Sequence, residues 1–362
     1  MTAILVAIDL PGGPGFVEEL QRIWRDGNAA FPVDQRLPAA AKAEVCRAMR
    51  VGAAVEQGDA LVVATSGSTG TPKGVVLTHD AVAASAAATT ARIGVGMDDH
   101  WLACLPLSHV GGLSVVTRAL HSNTALTVLP AFDTAAVNAS PATLVSLVGT
   151  ALARIDPTGY RAIVLGGSRP PANRPPNAIT TYGLTETGSG VVYDGLPLAD
   201  VEVDITDDGE IRLRGPMLLR SYRDGTSPLD ESGWLPTGDL GSWQNGRLQV
   251  AGRRSDLIIS GGENVWPEAV EAALSTHPDV ADVLVRGMAD AQWGEIVAAV
   301  VVPVSGTAPT LDKLRDHVKA THPAYMAPKH IDLVEVLPRT SLGKLQRGQP
   351  PDPATPAPPS IT

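Results

Sequence analysis

Only two cysteines occur in 362 residues, Cys46 and Cys104, and they stand far apart in the chain. That argues against a disulfide framework and for reduced thiols in a cytoplasmic protein. Long apolar runs are also missing: none approaches the ~18 residues that a bilayer span requires, so no membrane span is expected. No basic residue precedes the apolar opening "MTAILVAIDL", and Asp9 closes it, which reads as a first strand instead of a signal peptide. Basic residues are outnumbered, 28 Lys and Arg against 38 Asp and Glu, for a formal charge of −10. General nucleic-acid binding is therefore not expected, and an anionic ligand must be held by local donors against the overall field.

What is present is the texture of an α/β protein. The hydrophobic share is 44% and the charged share 18%, ordinary for a globular chain long enough for two domains. From residue 61, β-branched runs ("LVVAT", "TALTVLP", "ATLVSLVG", "AIVLGG") alternate with helical stretches, and "DAVAASAAATTARIG" (80–94) reads as a packed helix. After residue 200 strands and turns crowd together, "VEVDI-TDDG-EIRLRG" reading as a hairpin. Near 252 the pattern passes through a charged junction, a strand and a Gly-Gly turn into a helix with Pro267 in its first turn. The expected layout is a large domain over 1–252, a junction at 253–256, a small α+β domain over 257–347, and a Pro-rich, disordered tail over 348–362.

Directly after "ALVVA" stands "TSGSTGTPKG", residues 65–74. Its bare glycines, Gly67 and Gly70 among them, let backbone amides approach oxyanions closely. Thr65, Ser66, Ser68, Thr69 and Thr71 add hydroxyl donors, and Lys73 supplies a cation. A polyphosphate cradle and an exposed Gly/Ser turn both fit these ten residues. A Walker A loop does not: Pro72 stands where its second glycine belongs, and Gly74 replaces the Ser or Thr that would ligate Mg²⁺.

Four further stretches follow in order: "TYGLTETGSG" (181–190), "PTGDL" (236–240) with Asp239 on a turn, "GRRSDLIISGGENV" (252–265), and "LPRTSLGKLQR" (337–347). Together with the first they resemble, from about residue 61 to 347, the adenylate-forming superfamily of acyl-CoA synthetases, peptide-synthetase adenylation domains and luciferases. The resemblance implies layered sheets and helices with a small mobile C-terminal domain. It also implies two half-reactions: a carboxylate attacks the α-phosphorus of ATP, and the thiol of coenzyme A then displaces AMP. Thr65, Ser66, Thr69 and Lys73 would hold the β- and γ-phosphates, and Thr185 the α-phosphate. Tyr182 and Gly183, with Gly166 and Gly167 of "VLGGS", would border the adenine. Asp239 and Arg253 would reach the ribose, and Glu186 would help bind Mg²⁺, which prefers hard oxygen ligands. Lys344 would be catalytic, bridging the acid and the α-phosphate. Ser255 takes the hinge position, where many relatives carry Asp or Lys, and Gly261 and Gly262 would line the coenzyme A tunnel.

In "LPLSHVGGLSVVTRAL" (105–120), His109 would border the acyl channel, and Arg118, in an otherwise apolar segment, would need an anionic partner if buried. That pattern and "GSGVVYDGLPL" resemble the o-succinylbenzoate–CoA ligases of menaquinone biosynthesis. Arg118 would hold the spectator carboxylate of such a substrate, while Gly188, Ser189 and Gly190 leave room for its ring. The phosphate stretch begins only 65 residues in, so the N-terminal region is shorter than in most relatives. The alternatives are another aryl- or short-chain acyl-CoA ligase and an inactive nucleotide-binding scaffold; a homo-oligomer is compatible with either.

Overall fold

A computed structural model of the protein describes residues 2–65, 72–167, 173–338 and 347. They fall into two compact units: one over 1–237 and 242–249, the other over 238–241 and from 250 onward. The division falls inside the strands Leu235–Gln244 and Arg247–Arg253, upstream of the junction read from the sequence.

The first unit holds two sheets and most of a third, which runs Glu202–Ile205, Glu210–Arg214, Leu235–Gln244 and Arg247–Arg253, its first pair antiparallel. In the first sheet, the parallel strands Leu5–Ile8, Ala29–Pro32 and Asp59–Thr65 are followed by Lys73–Thr78 and the short Ser221–Tyr222, both antiparallel to their neighbours. The second runs Leu196–Pro197, Gly190–Tyr193, Ala178–Gly183, Ala162–Gly166, Leu144–Val148, His100–Ala103, Ala125–Val128. Its last five strands are parallel, and the central ones are continuous apolar runs because both faces are covered.

Helix Pro14–Arg25 begins on proline, where the missing N–H costs nothing. It buries Phe16, Leu20 and Ile23 on one stripe, about 1.5–3 kcal/mol for each side chain. Helix His79–Ile93 is capped by Thr78, whose Oγ1 accepts from the Ala81 amide at 3.1 Å, and stopped by Gly94 in the left-handed region. His79 is thus a helix-start residue. Helix Val110–Ser122 packs against it and is buried continuously from Gly112 to Ala119. Its apolar sequence has no solvent face to serve.

In the second unit, strands Val280–Asp290 and Gly294–Pro303 form a long antiparallel pair, extended by Ile258–Ser260, Glu263–Val265 and His330–Leu333. Helix Pro267–Leu274 turns Val270, Ala273 and Leu274 inward, as the spacing predicts. Helix Leu311–Lys319 adds Leu314 and Val318 to the same core.

Candidate active site

The phosphate-type stretch is the connection between two antiparallel strands. Thr65 pairs with Lys73, and Thr65 Oγ1 donates to the Lys73 carbonyl at 3.4 Å, so both ends of the stretch are held side by side. Ser66, Gly67, Ser68, Thr69 and Gly70 lie outside the described residues. Lys73 is exposed, with Nζ 4.8 Å from the ring centre of Tyr222. Among the described residues it forms no ion pair.

A 3₁₀ turn over Thr185–Thr187 follows the strand Ala178–Gly183. Thr187 locks it: its hydroxyl accepts from the Leu184 amide at 2.9 Å and donates to the Ser189 carbonyl at 2.6 Å. The Ser189 carbonyl closes so tightly on Gly183 that a Cβ there would sit 2.2 Å from the oxygen, which only glycine permits. Thr185 and Glu186 are left half-buried. Glu186 Oε1 accepts from the Tyr222 hydroxyl at 3.0 Å.

Tyr222 was not singled out by the sequence reading, because "LLRSYRDG" carries no chemical signature of its own. Backbone pairing delivers it. Leu219 N donates to the Glu186 carbonyl at 2.7 Å, Ser221 and Tyr222 pair with Val76 and Val75, and Arg223 N donates to the Gly74 carbonyl at 2.7 Å.

The strand Ala162–Gly166 lies parallel to Ala178–Gly183, bringing Gly166 beside Thr181; a Cβ on Gly166 would be 3.0 Å from Thr181 Oγ1. Gly167 has φ +98°. Tyr182 is half-buried opposite Val192. Gly166, Gly167, Tyr182 and Gly183 therefore gather at one end of two neighbouring strands, the ordinary ligand position of such sheets.

Arg118 is 2% exposed on helix Val110–Ser122. It donates to Ser189 Oγ at 2.5 Å, Ser146 Oγ at 3.3 Å and Tyr193 Oη at 3.5 Å, and lies over Trp101 at 5.7 Å. The anionic partner expected from the sequence does not appear: among the described residues Arg118 has no carboxylate neighbour, and its Nε is a buried donor without an acceptor. Hydroxyl and aromatic groups soften the burial of this charge, but they do not neutralise it. Thr117, Ser114 and Gly188 line an adjacent cavity with Leu61, Leu77 and Val82, with room for about one water. Gly190 abuts the neighbouring strand, where a Cβ would meet Thr181 Cβ at 2.8 Å.

His109 stands at the start of the same helix. Arg36 Nη2 lies 2.9 Å from His109 Nε2, and Arg36 grips Asp34 with Nη2–Oδ2 at 2.6 Å. A guanidinium only donates, so Nε2 is the acceptor and the imidazole is neutral with its proton on Nδ1. Burial, and then the Arg36 charge, hold the His109 pKa below its ordinary value, with Asp34 opposing. Asp34 and Arg36 lie 75 and 73 residues before His109, and nothing in their local sequence points to it.

In the second unit, Asp239 is buried and pairs with Arg253, Nε–Oδ1 2.9 Å. Asp239 does not occupy the expected turn. It lies within the strand Leu235–Gln244, where Gly238 at φ +71° bends the backbone locally. Ser255 is exposed in the 3₁₀ turn Arg254–Asp256, and its hydroxyl donates to Asp256 at 3.1 Å. Gly261 and Gly262, φ +62° and +85°, form the tight turn between Ile258–Ser260 and Glu263–Val265. Lys344 lies outside the described residues.

These placements can be set beside known proteins. Residues 55–223 match the family model described as AMP-binding enzyme, and residues 269–344 match that of the AMP-binding enzyme C-terminal domain. A probable 2-succinylbenzoate–CoA ligase of Mycobacterium tuberculosis is 40% identical over 332 residues, covering 83% of this chain and 86% of that protein. This chain belongs to the adenylate-forming, AMP-binding enzymes. Within that family, a 2-succinylbenzoate–CoA ligase of Bacillus cereus is 36% identical, over 79% of this chain and 68% of its own length. Among solved structures, the o-succinylbenzoate CoA synthetase of Bacillus subtilis in complex with the acyl-adenylate intermediate superposes with TM-score 0.88. It is 29% identical and covers 97% of this chain and 88% of that one. The same enzyme in complex with ATP and magnesium ion gives TM-score 0.85 at 28% identity, over 96% and 89% of the two chains.

Membership makes magnesium an expected companion of ATP, and Glu186 fits it. Its second carboxylate oxygen, Oε2, has no hydrogen-bond partner among the described residues, and a single carboxylate suits an ion that otherwise keeps water and phosphate oxygens. No group of three or more His, Cys, Asp or Glu side chains placed to hold a metal occurs among the described residues. Among them, too, no helix is long and apolar enough to cross a membrane.

Proposed function

We propose that this chain is an AMP-forming 2-succinylbenzoate–CoA ligase, joining 2-succinylbenzoate to coenzyme A at the expense of ATP, in the cytoplasmic biosynthesis of menaquinone. The observation that carries the substrate is Arg118, a buried guanidinium with hydroxyl partners and one unpaired donor. 2-Succinylbenzoate has two carboxylates. The succinyl one reacts, and the benzoate one needs a cation. Arg118 and Ser189 meet that need, the benzoate group taking up the hydroxyl-bound guanidinium directly or through water.

The chemistry then divides among the remaining groups. The stretch from Thr65 to Lys73 receives the β- and γ-phosphates, with Thr185 on the α-phosphate. Tyr182, with Gly166 and Gly167, borders the adenine, and Asp239 and Arg253 hold the ribose. Glu186 would hold magnesium, whose charge would offset that of the pyrophosphate. Lys344 offsets the repulsion between attacking carboxylate and α-phosphate, the carboxylate oxygen bonding to phosphorus as pyrophosphate leaves. In the second half-reaction the sulfur of coenzyme A attacks the acyl carbon and AMP departs. Neutral His109 borders the acyl channel without adding a charge. Residues 1–252 would act as the substrate-binding domain and 257–347 as a lid turning about Ser255, with Gly261 and Gly262 lining the thiol's path.

ATP–pyrophosphate exchange across a carboxylate panel tests this reading. 2-Succinylbenzoate is expected to drive exchange at least tenfold above benzoates and short-chain acids. Preference for those acids would reassign the substrate. Lys344→Ala is expected to lose adenylation by roughly 10²–10³-fold while still binding ATP.

A further inference from the structure

Lys73 and Glu186 are opposite charges in the same corner of the first unit, yet among the described residues neither forms an ion pair. Tyr222 stands between them. Its ring face receives the Lys73 ammonium at 4.8 Å, and its hydroxyl donates to Glu186 Oε1 at 3.0 Å. The two ends of one phenol thus take the two charges, each in the manner that suits it: quadrupole for the cation, O–H donor for the anion.

We propose that Tyr222 is a positioning residue, a spacer that keeps the phosphate-binding lysine and the metal-binding carboxylate from neutralising each other. This rests on the nucleotide roles proposed above for Lys73 and Glu186. An ammonium and a carboxylate that collapse into a direct pair lose their pull on outside ligands: the lysine on phosphate oxygens, the glutamate on Mg²⁺. With the phenol in place, the Glu186 hydrogen bond fixes one carboxylate oxygen and leaves Oε2 for the ion, as an outer partner fixes a metal ligand elsewhere.

The anchoring of Tyr222 suits a spacer. Tyr222 pairs with Val75, two residues from Lys73, and Leu219 of the same segment bonds the Glu186 carbonyl at 2.7 Å. The segment is therefore tied by backbone to both of the groups it separates.

The test compares Tyr222→Phe with Tyr222→Leu in the full chain. Phe keeps the ring under Lys73 and removes only the bond to Glu186; Leu removes both. ATP binding is followed by calorimetry across a Mg²⁺ titration, which needs no acid substrate and no turnover. For Phe, the Mg²⁺ giving half-maximal tightening of ATP is expected to rise about tenfold, with metal-free ATP affinity unchanged. For Leu, the Mg²⁺ requirement is expected to rise further and metal-free ATP affinity to fall about three- to tenfold, as Lys73 turns to Glu186. Adding Glu186→Gln to Tyr222→Leu should restore metal-free affinity, because the competing anion is gone. A Mg²⁺ dependence unchanged in Phe, or no restoration by Glu186→Gln in a variant that keeps the wild-type melting temperature, would overturn the spacer. If the wild type binds Mg–ATP yet activates no acid, the proposed function fails and the spacer is still judged by the binding series.

Discussion

Arg118 in the first unit is buried and Arg347 in the second is half-buried, and the two are treated in opposite ways. Arg118 in the first unit meets three hydroxyls, an indole and no carboxylate among the described residues. Arg347 in the second is surrounded by Asp256, Glu268 and Glu271: its Nε is 3.4 Å from Asp256, its Nη2 is 3.2 Å from Glu268, and Nη1 bonds Glu271. Burial works against the charge of Arg347, but the three carboxylates more than offset it and raise its pKa above the ordinary value. An arginine saturated with anions holds structure together; one left without an anion keeps its affinity for a ligand that brings one.

The contrast predicts opposite costs. Arg118→Met should lower kcat/KM for 2-succinylbenzoate by about 10³-fold, since a desolvated charge on the substrate loses its partner. Its melting temperature should hold steady or rise, because a poorly compensated buried cation has been removed. A clear fall in melting temperature with little loss of activity would break the contrast. Arg347→Met should do the reverse to stability, stranding three carboxylates at about 3–5 kcal/mol, or roughly 10 °C in thermal unfolding.

A smaller effect sharpens the same comparison. Glu268 has its pKa raised by burial, with Arg347 pulling the other way, and its Oε2 is a buried acceptor without a partner. A carboxyl whose folded pKa lies above its unfolded one stabilises the fold in acid, and that contribution is lost as pH rises through the folded pKa. Glu268→Gln should therefore raise the melting temperature by about 2 °C near neutrality, and the gain should vanish in acid. A constant gain at every pH would exclude titration of Glu268 as its source.

The smallest expected change is spectroscopic. Removing the neighbouring cation with Arg36→Met should move the His109 titration upward, followed by its ring proton resonance, without reaching the free value because burial remains the larger cause. A downward movement would show that Asp34, released from Arg36, does not act on the imidazole as an anion.

How much of this was legible in the sequence depends on the distance over which each feature is encoded. Local features were readable. The Ala-rich stretch 80–94 reads as a helix, and Pro267 with Val270, Ala273 and Leu274 declares another, because composition and periodicity act within a few residues. The parallel strands announced themselves as β-branched runs, and Arg118 stood out as a cation in an apolar segment. Asp239 was misplaced onto a turn because a glycine at positive φ interrupts a strand as readily as it ends one. Tyr222 and the Asp34–Arg36–His109 group were invisible. Tyr222 reaches Glu186 across 36 residues and Arg36 reaches His109 across 73, through pairings that only the folded sheet creates. Motifs mark the groups that touch ligands, whereas the groups that hold them in place are scattered along the chain.

The cysteines have a practical consequence. Burial pushes the Cys104 thiol up to about 12, and burial together with Asp9 raises that of Cys46. Near neutral pH almost no thiolate is available from either, so a sulfhydryl placed on the open surface should react with maleimides far ahead of both. Met97, 97% exposed in the first unit, and Val336, 61% exposed in the second, are suitable positions for such labels. A dye pair there would turn the chain's own unreactive sulfurs into a clean background for testing whether its two units move during turnover.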